Sequence, residues 1–182
     1  ISILHKKHFL LRFHLFAGTI VFNYYQYSIK ISDMRAVIQR VERASVKIRS
    51  QLISKIGKGI LVFIGVGKDD TDKDADYVAT KIIGLRIFED SEGKMNLSLT
   101  DIDGQALIVS QFTLFGDCHK GKKPSFESAA EIEMAKVLYE YLIKKCKQGN
   151  IVIGEGVFRG NMQVDLVNDG PVTILIDSKK TF

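Results

Sequence analysis

Polar side chains follow an apolar run near the middle of the sequence. Ser110, Gln111 and Thr113 flank Phe112 directly after the apolar residues 106–109. The end of a buried strand is a usual position for functional groups, because loops held by a rigid scaffold carry much of binding and catalysis. An edge strand with one solvated face gives the same pattern. The segment is therefore a candidate catalytic site, and the edge-strand alternative stays open at this point.

Histidine is scarce, and this limits the kinds of hydrolysis that the chain could catalyse. A Ser-His-Asp hydrolase needs a serine activated by a histidine, often within Gly-x-Ser-x-Gly. No such motif occurs, and His119 is the only histidine after Met34. Its neighbours Cys118 and Lys120 are typical of a surface loop, and adjacent side chains usually point apart. We therefore expect neither a serine triad nor a Cys-His pair.

Residues 116–123 nearly match the phosphate-binding loop G-x-x-x-x-G-K-[ST]. Lys123 stands where the motif needs a hydroxyl for magnesium, and Pro124 stands where its helix should already be running. A nucleotide hydrolase is therefore only an alternative. Lys120, Lys122 and Lys123 are better suited to contact nucleic-acid phosphates, because such contacts need charge and reach but no fixed loop. A merely solvated basic loop explains the lysines equally well.

A second polar segment, 168–173, joins two apolar runs near the carboxyl end. Asp169 and Gly170 could form an ordinary hairpin turn between two strands. Pro171 changes this interpretation, because proline lacks a backbone donor and permits a cis peptide bond. The segment is the second candidate for a functional role.

The elements that must position these segments follow from periodicity and turn residues. Strands are predicted at 36–41, 44–48, 60–66, 85–88, 106–114, 162–167 and 172–176. A capping box at 71–74 begins a first helix, and the acidic residues there suit its amino end without implying catalysis. A second helix is predicted from about 130 to 147 with a buried stripe of Ile132, Ala135, Leu138, Tyr139 and Leu142. Strands and helices do not alternate strictly, so we expect mixed sheets with helices on one side.

Composition indicates one domain and gives little support for RNA binding by itself. The chain is 46% hydrophobic and 26% charged, as in a globular protein, with a formal charge of +5. Residues 1–33 carry +3 of that charge, so the remainder is nearly neutral. Cys118 and Cys146 lack the spacing of a disulfide framework or zinc site, and a reducing cytoplasm is expected.

The first 33 residues differ from the rest. Their apolar stretch 9–22 is interrupted by Arg12 and His14 and is shorter than the roughly 20 residues that a membrane-spanning helix needs. A better start, Met34, lies just beyond. We therefore expect residues 1–33 to be an extension outside the fold, and residues 34–182 to form the domain.

From Met34 to Asp177 the sequence resembles the D-aminoacyl-tRNA deacylases, also called D-tyrosyl-tRNA deacylases. The resemblance rests on SQFTL at 110–114 and NDGPVT at 168–173, and on segments at 38–41, 44–46, 86–88, 93–97, 123–126 and 162–164. Each match is weak alone, but all of them in order are specific. Residues 1–33 have no counterpart in the family.

The resemblance implies a fold and an activity. The fold would be a layered ββα sandwich of mixed, largely antiparallel β-sheets with two main helices. The activity would be hydrolysis of the ester that joins a D-amino acid to the terminal ribose of tRNA, with glycyl-tRNA mischarged on tRNA(Ala) as a further substrate. The family works in the cytoplasm, without membrane, metal or organic cofactor, as a homodimer with active sites at the subunit interface.

The resemblance also assigns roles to residues. Catalysis falls to Ser110, Gln111, Phe112 and Thr113. Substrate binding and chiral selection are assigned to Arg40, Met162, Gly170, Pro171, Val172 and Thr173. Contact with tRNA is assigned to Lys120, Lys122 and Lys123. A cis Gly170-Pro171 peptide would enter the partner's pocket, where its main-chain carbonyls exclude L side chains, while Arg40 holds it in place.

The implied chemistry uses no histidine base. The substrate's 2′-hydroxyl would position or activate water, and backbone N–H groups around Phe112 and Thr113 would stabilise the oxyanion. Thr113 is also regarded as a nucleophile in this family, but no base in the sequence would activate it, so we favour a positioning role. A non-catalytic tRNA-binding module and the degenerate phosphate-loop NTPase are the alternatives.

Overall fold

The computed structural model describes residues 11–16, 19–24 and 33–180, and the chain divides into two units, Ile1–Ile31 and Ser32–Phe182. In the first unit, β1 (Leu11–Phe16) pairs antiparallel with β2 (Thr19–Tyr24). Much of the extension 1–33 lies outside the described residues, so its absence from the fold stays a prediction.

The second unit combines strands with two long helices. Its strands are β3 (Arg35–Ile48), β4 (Gln51–Ile56), β5 (Gly59–Gly65), β6 (Phe88–Glu89), β7 (Met95–Leu97), β8 (Gln105–Ser110), β9 (Val152–Glu155) and β10 (Gln163–Asp177). Its helices are α1 (Asp72–Gly84), the 3₁₀ helix Phe112–Phe115 and α2 (Ile132–Lys147). Neither α1 nor α2 is long and apolar enough to cross a membrane, which holds for the part of the chain described above. The predicted mixed α/β fold is confirmed.

The main sheet has the order β10-β3-β5-β8-β9, and β4 also pairs with β3. The pairs β5–β8 and β8–β9 are parallel, and the remaining pairs are antiparallel. Strand β5 is buried on both faces, as expected for a strand between two layers. Ile60, Val62 and Ile64 belong to the core that contains the helices, whereas Leu61 packs with residues of β3 and β4. The result is a ββα arrangement.

Both helices pack into the same core. The capping box is confirmed: Thr71 N–H donates to Asp74 Oδ2 at 2.8 Å, directly before α1. Helix α2 buries Leu138, Tyr139 and Leu142 as predicted. Ile132 was expected in that stripe but is 44% exposed, because it lies at the first turn, beside a pocket.

Several details of the secondary structure differ from the sequence prediction, which gave no strand at β4, β7 or β9. The strand predicted at 85–88 is wrong, because Leu85 caps α1 through a bond from its N–H to Lys81 O, and only Phe88 and Glu89 pair as strand. The strand predicted to reach 114 ends at Ser110, where the 3₁₀ helix follows. The strands predicted at 36–41 and 44–48 form one continuous strand, β3. Those predicted at 162–167 and 172–176 likewise form one strand, β10.

The acidic residues at the start of α1 are not merely surface charges. Asp70 is 3% exposed and Asp74 is 5% exposed. Asp70 Oδ2 accepts the Gly67 N–H at 2.6 Å. Burial raises the pKa of Asp70 from 3.8 to about 7, and Asp74 adds to the rise, while Gly67 and Lys179 oppose it. Burial also disfavours ionised Asp74, but bonds from Lys179, Ser178 and Thr71 outweigh it and lower the Asp74 pKa to about 2.

The raised pKa of Asp70 predicts a fall in stability with increasing pH. A carboxyl whose pKa is higher in the folded than in the unfolded chain stabilises the fold below the unfolded pKa, and this contribution is lost as pH rises through the folded pKa. Asp74 is ionised throughout this window. Between pH 4 and pH 8 the free energy of unfolding should fall by up to about 4 kcal/mol.

Asp70→Asn should flatten this pH dependence, since the amide oxygen still accepts the Gly67 N–H but cannot ionise. Urea unfolding of both proteins at pH 4, 6 and 8 measures the effect. Parallel pH profiles for the variant and the parent would show that Asp70 does not titrate in this range.

Candidate active site

A pocket of about 580 Å³ opens where β8 ends, a volume within the range of small-molecule sites. Its walls come from the ends of β5 and β8, the start of α2 and the loop before β10. The lining residues are Val66, Val109, Ser110, Gln111, Phe112, Ala129, Ala130, Ile132, Ala135, Phe158, Arg159, Gly160, Asn161, Met162 and Val164. Ser110, Gln111, Phe112 and Met162 were predicted as site residues from the sequence.

The 3₁₀ helix begins at the pocket residue Phe112, and its first backbone donors have no partner within the helix. The sheet ladder ends where Gln111 N–H donates to Ile64 O at 2.7 Å, and the helix begins with Leu114 N–H donating to Gln111 O at 3.3 Å. The amides of Phe112 and Thr113 lie between these two bonds, so the helix itself supplies them with no acceptor. Phe112 is 58% exposed and its ring contacts Phe126 edge to face, with centroids 5.0 Å apart.

Thr113 does not line the pocket but is connected to it through Gln111. Gln111 Nε2 donates to Thr113 Oγ1 at 2.6 Å. An amide donor cannot take the proton of a hydroxyl, so this contact orients Thr113 without activating it. Among the described residues that line the pocket, none is a histidine, carboxylate or lysine. The pocket itself therefore supplies no conventional general base.

The segment 168–173 forms a bulge opposite Arg40. Asn168 pairs with Val41 and Thr173 pairs with Gln39, so four residues of β10 face one residue of β3. Because both halves of β10 pair with the same strand, Asp169 and Gly170 do not form the hairpin turn weighed above. The Gly170–Pro171 peptide bond is cis. Gly170 and Pro171 are exposed, so the tip of the bulge is accessible in the single chain.

Two side chains fix the shape of this bulge. Arg40 is 5% exposed; its Nε lies 3.0 Å from Asp169 Oδ2 and its Nη1 donates to Ile87 O at 2.7 Å. Asn168 Nδ2 donates to Val172 O at 3.2 Å, and Val172 N–H donates back to Asn168 Oδ1 at 2.9 Å. Val172 is buried, whereas Thr173 is exposed and accepts from Gln39 Nε2 at 3.3 Å.

The basic loop follows the 3₁₀ helix directly. Asp117 and Ser125 close it with two backbone bonds of 2.8 and 2.9 Å, and Lys120, Lys122 and Lys123 are exposed between them. No helix begins after this loop until Ile132, which disfavours the phosphate-loop alternative. The His119 side chain is 89% exposed with Nδ1 2.5 Å from Asp117 Oδ1, as expected for a surface residue.

The structure also brings residues to the pocket that sequence reasoning missed. Ala129 and Ala130 line it because backbone pairing ties their segment to β5, with Ala130 N–H donating to Val66 O at 2.9 Å. Arg159 and Asn161 reach it from the loop before β10. The sequence gives little indication of that loop. Its only turn residues are Gly156 and Gly160, on either side of the apolar pair Val157 and Phe158. No group of three or more His, Cys, Asp or Glu side chains suits a metal ion within the described ranges.

Comparison with known proteins gives one consistent family. The model of the D-Tyr-tRNA(Tyr) deacylase family matches residues 37–177. The D-aminoacyl-tRNA deacylase of Thermosipho africanus is 57% identical over 149 residues, which are 82% of this chain and 100% of that protein. The enzymes of the same name from Thermotoga petrophila and Clostridioides difficile are each 54% identical, with the same shares covered.

Two solved structures have a similar fold. A structure named c-Myc DNA Unwinding Element Binding Protein is 41% identical with a TM-score of 0.74, covering 78% of this chain and 97% of that chain. A probable eukaryotic D-amino acid tRNA deacylase is 17% identical with a TM-score of 0.69, covering 80% and 99%, which supports the fold alone.

Proposed function

The chain belongs to the D-Tyr-tRNA(Tyr) deacylase family and is a hydrolase of D-aminoacyl-tRNA, and on that premise we propose how its pocket performs and restricts the reaction. The observation that carries the proposal is a pocket without an ionisable base, lined by Phe112, the first residue of a 3₁₀ helix whose first amides have no acceptor within the helix. We place the ester of the substrate beside these amides and the aminoacyl group within the pocket.

The proposed mechanism is assisted by the substrate. The ribose 2′-hydroxyl next to the ester orients the attacking water, because the pocket offers no histidine or carboxylate for this task. As water adds to the carbonyl carbon, negative charge develops on the carbonyl oxygen, and the Phe112 and Thr113 N–H groups stabilise it. Collapse of this intermediate releases the D-amino acid and the ribose hydroxyl of tRNA. Gln111 orients Thr113, and Ser110 and Met162 complete the pocket wall.

We propose that selection against L-amino acids uses the bulge of a second subunit. Gly170 and Pro171 do not line the pocket of their own chain, but they are exposed at the tip of a bulge held by Arg40 and Asn168. In a homodimer, this tip would enter the partner's pocket, and its carbonyls would occupy the space that an L side chain needs. Glycyl esters, which lack a side chain, would be accepted. Phe112 and Ile132, 58% and 44% exposed, give the pocket rim an apolar surface suited to such contact.

The single experiment that tests the activity compares D-aminoacyl-tRNA, glycyl-tRNA(Ala) and L-aminoacyl-tRNA as substrates. We expect rapid release of the D-amino acid and glycine, and background release of the L-amino acid. Equal, background-level release from all three would exclude the proposed activity, and a non-catalytic tRNA-binding module would then be the better interpretation.

The lysine loop is proposed to contact tRNA phosphates next to the pocket. Replacing Lys120, Lys122 and Lys123 with alanine should weaken tRNA binding. The slope of log affinity against log salt concentration should also become less steep, by about 2 to 3. A variant with Lys55, Lys58 and Lys144 replaced loses the same charge from exposed positions outside the loop. Titration of tRNA binding at several salt concentrations compares the loop variant with this control. Equal losses of affinity would show that the loop is only solvated surface.

We propose that residues 34–182 form the deacylase domain and act in the cytoplasm, where aminoacylated tRNA is used. The family match at 37–177, and relatives that align over their whole length with 82% of this chain, support these bounds. Residues 1–33 are then an extension that the reaction does not need.

A further inference from the structure

The pocket contains one charged side chain that neither the resemblance nor the proposed mechanism uses. Of the described residues that line it, Arg159 alone is ionisable. Arg159 is exposed in a turn that Gly160 N–H closes by donating to Val157 O at 2.9 Å, and its φ of 60° is in the left-handed region. Arg159 thus lies at the pocket without being buried in it.

The charge of Arg159 limits what it can bind. Near its scissile ester, the substrate of the proposed reaction carries a positive α-ammonium group and a negative phosphate on the 5′ side of the terminal ribose. A guanidinium repels the former and matches the latter, because its planar donors can form two parallel bonds to phosphate oxygens. Its exposure means that binding does not require a buried, unpaired charge.

We propose that Arg159 binds the phosphate of the terminal nucleotide and so anchors the ester beside the Phe112 and Thr113 amides; this rests on the proposed deacylase function. The site differs from the lysine loop, because none of Lys120, Lys122 and Lys123 lines the pocket. Arg159 therefore acts by binding and positioning the substrate.

The test uses two non-hydrolysable analogues, 3′-(D-aminoacyl)amino-3′-deoxyadenosine with and without a 5′-phosphate. Each is measured as a competitive inhibitor of D-aminoacyl-tRNA hydrolysis by the parent enzyme, Arg159→Gln and Arg159→Lys. In the parent, the phosphate should strengthen inhibition about tenfold, as expected for a charge-assisted contact. This gain should vanish in Arg159→Gln and persist in part in Arg159→Lys.

Arg49 provides a matched control, since it is an exposed arginine in a turn with a φ of 48° and does not line the pocket. Arg49→Gln should keep the full phosphate effect. A phosphate gain of equal size in the parent and in Arg159→Gln would overturn the proposal, as would no gain in the parent. Failure of the parent to hydrolyse D-aminoacyl-tRNA would instead contradict the proposed function.

Discussion

Phe112→Pro should hydrolyse D-aminoacyl-tRNA about a hundredfold more slowly than Phe112→Ala. Both substitutions remove the ring and its contact with Phe126, but only proline removes the backbone N–H. Loss of one oxyanion donor typically costs a hundredfold or more in rate. The comparison therefore isolates the amide that we place next to the developing negative charge.

The local backbone favours this experiment. Phe112 is the first residue of the 3₁₀ helix, a position that proline tolerates because no intrahelical bond starts there. Gln111 already has φ −144° and ψ 82°, outside the helical region that a following proline disfavours. Single-turnover rates at saturating enzyme measure the chemical step, and thermal unfolding checks the fold. Equal rates for two well-folded variants would exclude the Phe112 amide as an oxyanion donor.

Local sequence signals predicted local structure well. The Thr71–Asp74 capping box and the buried face of α2 at Leu138 and Leu142 depend on neighbours within a few residues, and both are confirmed. The strand predicted at 106–114 ends instead at Ser110, where apolar residues give way to polar ones. The 3₁₀ helix after it was missed, since Phe112, Thr113 and Leu114 are typical strand residues by type.

Features that depend on residues far apart in the sequence could not be predicted from local patterns. Asp70 resembles any acidic residue at a helix start, and only the packed structure buries it. The bulge at 168–173 looks like a hairpin because sequence alone does not reveal that both flanking halves pair with β3. Arg159 has no motif around it, and its place at the pocket follows from how the loop before β10 packs. These long-range contacts determine most of the candidate site.

Gly170→Ala should reduce the preference for D over L substrates by at least about tenfold in kcat/KM. Gly170 has a φ of 114°, a conformation that residues with a β-carbon rarely adopt. A β-carbon there would lie 2.8 Å from Arg40 Nη2 and 2.9 Å from Val172 Cγ2. Arg40 is held by Ile87 and Asp169, and Val172 by Asn168, so neither can withdraw easily. The bulge itself must shift, and carbonyls that exclude an L side chain would shift with it.

Gly93→Ala is the matched control for backbone strain. Gly93 also has a positive φ, 74°, but nothing lies within 4 Å of a β-carbon placed there. It should lower stability without changing the D to L ratio. Asn168→Asp gives a milder probe of the same bulge, because its carboxylate still accepts the Val172 N–H but cannot donate to Val172 O. We expect a smaller loss of preference in the same direction.

The measurement is kcat/KM for matched D- and L-aminoacyl-tRNA with the parent enzyme and all three variants. Selectivity is a difference between two activation free energies, so a general loss of folded enzyme lowers both rates and leaves the ratio unchanged. A shifted bulge instead raises hydrolysis of the L substrate relative to the D substrate. If Gly170→Ala and Asn168→Asp fold well and keep the parent ratio, the bulge does not select against L-amino acids, and the pocket walls of the single chain must do so.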